Sequence, residues 1–259
     1  MSEKKRKRHN SIMGLVHERG VMSVGALAER MGVSMQTIRR DLDEMCDDDM
    51  LLRRHGRIEL NAQQRNTPFD QRAATNPIGK QEIGEAAAEL IPDGATLFIS
   101  IGSTPLSVAR ALRRRTNLTV ITNNLSAAMA LSDEMSNRII LPGGELRLPD
   151  RDILGDGVVT FFDRYRADFA IFGSAGVAED GRLLEFHAAE VRTRERIREN
   201  AKTSILVLDA TKFGRLAPAA GENIRDVDRV VLDEKPEGVF AQMIEDIGDR
   251  LLLAERAFA

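Results

Sequence analysis

The sequence predicts an α/β protein: a small N-terminal helical domain joined to a larger domain built on a mostly parallel sheet. Three observations carry this. Residues 1 to about 60 hold short helix patterns punctuated by glycine and end in an arginine-rich run. Residues 61–78 are polar, contain Pro68 and Pro77 and have no strong period, which reads as a linker. From Ile78 onward, short β-branched runs alternate with helical patterns, as strand–helix–strand units of a parallel sheet do. The expected division is therefore 1–60, a linker over 61–78, and 79–259.

Composition narrows the function classes. The chain has 259 residues, 42% hydrophobic, which suffices for a sizeable core and excludes wholesale disorder. A net charge of −3 excludes a globally basic coat but not a local basic patch. Cys46 is the one cysteine, so no intramolecular disulfide and no multi-cysteine metal site is expected, which fits a reducing, cytoplasmic setting. His9, His17, His55 and His187 show no metal-ligand spacing, and neither a metal nor a cofactor is expected. No apolar run reaches the ~20 residues of a membrane span, and no apolar stretch follows the basic start as a signal peptide requires. The Lys4–Arg8 run reads either as a solvated, disordered arm or as a phosphate-contacting one. With no Trp and only Tyr165, stacking on RNA bases is disfavoured.

Ile12, Leu15 and Val16 form one apolar helix face, which Gly20 ends. Ser23 suits an N-cap, with Met22 and Leu27 placed as a hydrophobic staple, and Gly32 stops this second helix. Ser34 caps a third helix at once. Ile38, Leu42 and Met45 make its buried stripe. A helix, a tight glycine turn and an immediate second helix is the spacing of a helix-turn-helix, whose second helix enters the DNA major groove. The outer face of that helix carries Gln36, Arg39, Arg40 and Asp43, and glutamine and arginine are base-reading types. An ordinary three-helix bundle with a charged face has the same pattern. The runs flanking His55-Gly56 read as a hairpin with a basic tip, either a wing for the DNA backbone or minor groove or a surface hairpin whose arginines are merely solvated. Asp47-Asp48-Asp49 opposes the helix dipole and repels phosphate, so it should point away from the duplex.

Taken together, Ser34-Met35-Gln36-Thr37-Ile38-Arg39-Arg40-Asp41-Leu42 and Leu51-Leu52-Arg53-Arg54-His55-Gly56 resemble the DeoR-type winged helix-turn-helix. The resemblance implies double-stranded operator DNA as a partner. It implies contacts from Ser34, Gln36, Thr37, Arg39, Arg40, Arg53, Arg54, His55 and Arg57. Arg57 stands where the family usually has a second glycine.

In the larger zone the strand candidates are Thr96–Ile101, Leu118–Thr122, Arg138–Leu141, Phe169–Phe172, Ser204–Leu208 and Arg229–Leu232. Their near-continuous apolar runs predict burial on both faces. Helical patterns cover Lys80–Ile91, Pro105–Arg115, Ser126–Ser132, Gly155–Tyr165, Ala188–Ala201 and Gly238–Ala254. In the last of these Phe240, Met243, Ile247, Leu251 and Leu252 read as core cover or as an interface.

Ile101-Gly102-Ser103-Thr104-Pro105 joins a strand to a helix N-terminus, where free N–H groups and the dipole favour an anion; simple capping explains the same residues. Polar clusters follow other strands at Thr122-Asn123-Asn124, Pro142-Gly143-Gly144-Glu145, Gly173-Ser174-Ala175-Gly176 and Asp209-Ala210-Thr211-Lys212. Open α/β sheets bind ligands outside the carboxyl ends of their strands. As a set, the clusters point to a small phosphorylated polar ligand, with Lys212 as a point charge for phosphate.

Lys80, Gly102-Ser103-Thr104, Thr122-Asn123-Asn124, Gly143-Gly144, Glu190-Val191-Arg192 and Asp209-Ala210-Thr211-Lys212 make this zone similar to the DeoR-family sensor domain, related in fold to ribose-5-phosphate isomerase. The resemblance implies effector contacts from Lys80, Gly102, Ser103, Thr104, Asn123, Gly144, Glu190 and Lys212. A narrower likeness rests on Asn123-Asn124-Leu125, the run Arg138–Arg147, Leu183-Leu184-Glu185-Phe186, Glu190-Val191-Arg192-Thr193 and Lys212-Phe213-Gly214-Arg215. It implies release from DNA by sn-glycerol 3-phosphate, or by a related sugar phosphate. Ser100 and Ala178 stand where the family often carries Asp, which removes two carboxylates from the expected site.

Three function classes are weighed. A repressor with a sensing domain accounts for both motif sets. An active sugar-phosphate isomerase needs a positioned base; Glu190 and Asp209 remain as candidates, Ser100 and Ala178 do not, and fold likeness transfers no chemistry. A structural scaffold leaves the paired motifs unexplained. Helix-turn-helix proteins usually bind DNA as dimers, so a homo-oligomer with no membrane association is expected. An effector that releases DNA must bind the DNA-incompetent state more tightly, acting through the 61–78 linker.

Overall fold

The computed structural model describes residues 3–19, 21–47, 51–54, 57–60 and 66–254. The first helix, α1 (Glu3–Arg19), begins inside the basic run that reads as an arm. The physical reason is pairing. Lys5 meets Glu44 at 2.5 Å, and Arg8 donates through Nε and Nη2 to Asp41 at 2.5 and 2.8 Å. Arg8 is thereby committed to the fold rather than presented to phosphate.

Strand β1 (Met22–Ser23) and helices α2 (Val24–Met31) and α3 (Met35–Asp47) follow. Ser23 Oγ accepts the Ala26 N–H at 3.2 Å, and Gly32 ends α2 at φ 61°, so both caps fall where the residue types placed them. Residues 48–50, including most of the aspartate run, lie outside the described residues. Strands β2 (Leu51–Arg54) and β3 (Arg57–Leu60) pair antiparallel, with Arg54 opposite Arg57. β1 adds to β3, closing a three-stranded wing. Ile12, Val16, Leu27, Ile38, Leu42, Met45, Leu51 and Ile58 form one buried cluster beneath these elements.

Asp41 is a buried charge in this domain, held by Arg8 and, at 3.3 Å, by His9 Nε2. Burial opposes its ionisation, but the Arg8 hydrogen bonds and charge outweigh that and hold its carboxyl below the usual range. This contribution to stability is present above the usual carboxylate range and is lost as the pH falls through the lowered value. Asp41→Ala is expected to cost about 2–4 kcal/mol, because it strands Arg8 and His9 beside an apolar core. Thermal unfolding of the full chain at pH 7 and pH 2 measures this, and the gap to the parent should narrow in acid.

Helix α4 (Phe69–Ala74) lies within the stretch that reads as a linker. Phe69 is buried, its N–H donates to Pro149 O at 3.3 Å, and Arg151 and Arg72 lie over its ring. The two prolines start helices here rather than marking a free connection: Pro68 precedes α4, and Pro77 opens α5 (Pro77–Glu89).

The larger domain then runs β4 (Thr96–Ile99), α6 (Ser103–Ala111), β5 (Thr119–Thr122), α7 (Leu125–Leu131) and β6 (Arg138–Ile140). The short pair β7 (Leu146–Arg147) and β8 (Asp152–Ile153) leads to α8 (Asp156–Phe162) and β9 (Ala167–Phe172). Strands β10 (Gly176–Val177) and β11 (Arg182–Glu185), helix α9 (Ala188–Glu199) and strand β12 (Ala201–Leu208) come next. The domain closes with β13 (Ala219–Asn223), β14 (Arg229–Leu232), α10 (Ala241–Ile247) and β15 (Leu251–Leu253).

The main sheet has the order β15-β14-β12-β9-β4-β5-β6, with every neighbouring pair parallel. Alternate residues of its strands serve opposite cores. Leu97, Ile99, Val120, Ile171 and Val207 pack with α5, α6 and α7 on one face. Phe98, Ile121, Phe172, Leu206 and Leu208 pack with α8, α9 and α10 on the other. The double-sided burial expected of the apolar runs is what is found. Gly84 lets α5 approach α6 closely, since a Cβ there would sit 2.6 Å from Ser107 O.

Two features depart from the pattern reading. Leu251–Leu253 is the edge strand β15, not the end of a helix: Gly248 at φ 57° stops α10, and the leucines pair with β14. The apolar spacing from Phe240 to Leu251 mimics one continuous helix. In addition, β10, β11 and β13 form a small antiparallel sheet that carries no clear signal in the sequence.

Candidate functional site

Sheet order locates the site. The chain moves from β4 outward to β6 on one side, then returns to β9 and proceeds to β15 on the other. The reversal lies between β4 and β9, where open sheets leave a crevice at their carboxyl ends. A cavity occupies that position, lined on one side by Ser100–Pro105 after β4 and on the other by Gly173–Ala175 after β9.

The β4–α6 turn is built to present donors. Gly102 sits at φ 119°, open to glycine and few others. Asn124 Nδ2 donates to the carbonyls of Ser100 and Gly102 at 3.1 and 3.2 Å, while its Oδ1 caps α7 through the Ala127 N–H. Thr122 Oγ1 donates to Ile99 O. With these carbonyls tied back, the first N–H groups of α6 face the cavity. Pro105, the third residue of α6 rather than its first, has no N–H, and Leu106 N–H bonds Gly102 O. Ser103 and Thr104 therefore supply the free N–H pair. Their hydroxyls make no hydrogen bond among the described residues, and the helix dipole favours an anion there.

Lys212 closes this end. It is buried and lines the cavity, and its ammonium has neither ion pair nor hydrogen bond among the described residues. Burial, with Arg215, Lys80 and Arg72 nearby, pulls its ammonium down to about 8 despite the opposing charge of Asp209. Burial and Arg72 likewise lower Arg215. Lys212 and Arg215, both lowered by burial and by neighbouring cations, are stabilised in their charged forms by an incoming anion.

The remaining cavity charges are paired. Arg147 grips Asp152 through two hydrogen bonds at 2.6 and 2.8 Å and reaches Glu190 at 3.0 Å. Glu190 also accepts the His187 N–H at the start of α9. Arg72 pairs with Asp150 at 2.5 Å. Arg194, fully buried, bonds Glu185 and holds Glu222 at 3.0 and 3.1 Å. Burial pushes Glu185 up to about 8. Above that pH, Lys212 loses its positive charge and Glu185 gains a negative one. Affinity for a phosphate monoester should consequently fall as the pH rises past about 8, a decline that calorimetry at pH 7 and pH 9 would register.

Of the residues expected to bind effector, Gly102, Ser103, Thr104, Glu190 and Lys212 line this cavity. Lys80, Asn123 and Gly144 are not among the lining residues. Lys80 is buried beside it, donating to the carbonyls of Arg72 and Thr75 at 2.5 Å each and lying 3.6 Å from Asp209. Asn123 Nδ2 donates to Ile153 O, and Gly144 abuts Ile153, where a Cβ would come within 2.9 Å. Ser100 lines the cavity with a neutral hydroxyl; Ala178, in the β10–β11 turn, does not line it. Arg72, Arg147, Asp152, Glu185, Arg194 and Arg215 are additions from the structure. One signal was available for Arg194. It follows Glu190 by four residues on the same helical face as Val191 and Ile197, so charges point inward.

On the N-terminal domain, Gln36, Arg39 and Arg40 stand exposed along α3 with no partner among the described residues. Ser34 and Thr37 are tied to each other at the helix start, with Ser34 Oγ accepting the Thr37 N–H at 3.1 Å. Arg53 pairs with Asp43 at 3.0 Å on the surface, and Arg57 is exposed. The Arg54 side chain and the whole of His55 lie outside the described residues.

A winged helix-turn-helix followed by an α/β domain with an anion-suited cavity at its switch point defines a sensor-coupled helix-turn-helix protein. Residues 8–64 match the DeoR-like helix-turn-helix domain and residues 75–234 the DeoR C-terminal sensor domain. The chain belongs to the DeoR family. It is 44% identical over 243 residues to the glycerol-3-phosphate regulon repressor of Escherichia coli K12, covering 94% of this chain and 96% of that protein. It is 37% identical over 232 residues to the protein of the same description in Haemophilus influenzae, covering 90% and 91%. Among solved structures, ribose 5-phosphate isomerase A of Methanocaldococcus jannaschii aligns over 52% of this chain and 54% of that one, at 19% identity and a TM-score of 0.38, too slight a likeness to argue from. No helix among the described residues is long and apolar enough to cross a membrane.

Proposed function

We propose that this protein is a transcriptional repressor of glycerol 3-phosphate metabolism that releases its operator when sn-glycerol 3-phosphate enters the cavity. The observation that carries the reading is the unpaired Lys212 facing the same cavity as the Ser103 and Thr104 N–H groups. One cation and one helix N-terminus suit a single phosphate monoester. The arginine-bound carboxylates Asp152 and Glu190 offer acceptors for a short polyol. The 44% identical relative supports this choice of effector over other sugar phosphates.

Operator binding is assigned to the exposed face of α3 and to the wing, in a homo-oligomer whose paired helices meet successive half-sites. The cavity is assigned to binding, not turnover. Its carboxylates Asp150, Asp152 and Glu190 are each engaged by an arginine, Glu185 is held protonated at neutral pH by burial and lies against Arg194, and Asp209 is buried against Thr211 and Lys80 outside the lining. Conversion of a sugar phosphate by the purified protein would contradict that assignment.

The test is fluorescence anisotropy at fixed salt on duplexes from upstream of glycerol-catabolism genes. Titration with sn-glycerol 3-phosphate should release the DNA, whereas fructose 1-phosphate and glycerol should not. Specific binding that ignores sn-glycerol 3-phosphate keeps the regulator and removes the effector.

A further inference from the structure

We propose that Arg72 and Arg215 form a latch: both line the cavity and both hold the segment 66–74 leading out of the DNA-binding domain, so an anion in the cavity competes with that segment for them. The inference rests on the phosphorylated-effector reading above.

Arg72 belongs to α4, within the segment itself, yet its guanidinium lines the cavity. Its Nη1 donates to Asn66 Oδ1 at 3.1 Å and its Nη2 to Asp150 at 2.5 Å. Arg215 comes from the far side, after β12. It lines the cavity, stacks on Phe186 at 5.1 Å and donates to Ala175 O at 3.2 Å and to Thr67 Oγ1 at 3.5 Å. Among the described residues, the Asn66 and Thr67 side chains bond to these two arginines and to nothing else.

The rest of the segment is anchored differently. Phe69 is buried, Asp70 pairs with Arg151 at 2.8 Å, and Lys80 holds the carbonyls of Arg72 and Thr75. The end nearer the DNA-binding domain thus depends on two neutral acceptors, an amide and a hydroxyl. A phosphate dianion is a far stronger guanidinium partner and takes two N–H groups at once. When it draws Arg72 and Arg215 inward, Asn66 and Thr67 lose their donors while the Phe69 anchor stays. The change is delivered to residues 66–67, one short step from the wing.

The experiment uses the full-length protein, with sn-glycerol 3-phosphate and inorganic phosphate as the two probes. Calorimetry reads anion binding, anisotropy reads operator affinity, and hydrogen exchange reads the amides of 66–74. In the parent, the anion should speed exchange over 66–74 and weaken operator binding by about fivefold or more. Asn66→Ala combined with Thr67→Val, neither lining the cavity, removes the competing acceptors, so it should bind the anion at least as tightly as the parent and lose most of that response. Thr67→Ser, which keeps the hydroxyl, should respond as the parent does. An anion that binds without altering exchange over 66–74, or a double variant that responds like the parent, overturns the latch and leaves the effector reading standing. Failure of both anions to bind overturns both.

Discussion

Lys212→Ala is expected to weaken sn-glycerol 3-phosphate binding by roughly 10- to 100-fold, the loss of one charge-assisted hydrogen bond of about 1.5–3 kcal/mol. Lys212 is the cavity cation without a partner among the described residues, so its full charge is available to the ligand. Operator affinity in the absence of effector should hold, because the ammonium makes no ion pair or hydrogen bond among the described residues. The ligand-free chain should even gain stability. Its ammonium is pulled from the ordinary lysine range to about 8 by burial and neighbouring cations, so the folded state holds that proton less tightly than the unfolded one. Folding stability from this group accordingly rises with pH between about 8 and the ordinary lysine value. Below pH 8 the charged lysine is a cost, which the Ala variant lacks. Effector titrations and thermal melts at pH 7 would show reduced release and a raised melting temperature together. An unchanged effector response would remove Lys212 from the site.

The second large effect is expected on DNA. Arg39→Ala with Arg40→Ala should lower operator affinity by about 100-fold or more, since each well-placed arginine contact is worth about 1–3 kcal/mol. Both side chains project from the N-terminal half of α3 with no partner among the described residues, so their loss should not unfold the domain, whose core includes Ile38, Leu42 and Met45 on the opposite face. The single variants separate the two roles. One that relaxes base preference at one operator position marks a base contact. One that weakens all sequences alike, and lowers the salt slope by about one, marks a phosphate contact. Undiminished affinity of the double variant would exclude this face of α3.

Much of this was legible in the residues, for reasons that are local. Ser23, Gly32 and Ser34 set helix ends because capping is a contact within a few residues, and all three act as their types suggest. The apolar runs of β4, β5, β9, β12 and β14 announced double-sided burial because a strand between two helical layers has no solvent face. The anion-binding turn at Gly102-Ser103-Thr104 was visible because strand, turn and helix N-terminus are contiguous.

Errors arose where a partner is distant. Lys4–Arg8 reads as a loose arm until Asp41 and Glu44 are brought beside Lys5 and Arg8. Lys80 is expected among the effector contacts, and the structure sets it outside the cavity lining, bonded to two carbonyls and near Asp209. Asn123 and Asn124 are indistinguishable in type, yet only Asn124 reaches the carbonyls that shape the turn.

The sequence by itself determined the two-part architecture, the exposed Gln36, Arg39 and Arg40 on a capped helix, and the placing of polar clusters at strand ends, because these follow from periodicity and nearest-neighbour chemistry. Only the tertiary structure decided which strand ends meet, since the reversal between β4 and β9 is a matter of sheet order rather than of any local signal. It also decided which cations remain unspent. A lysine or arginine is free or committed according to the carboxylates and carbonyls that long-range packing sets beside it, and that is why Lys212 faces the cavity unpaired while Lys80 and Arg147 do not.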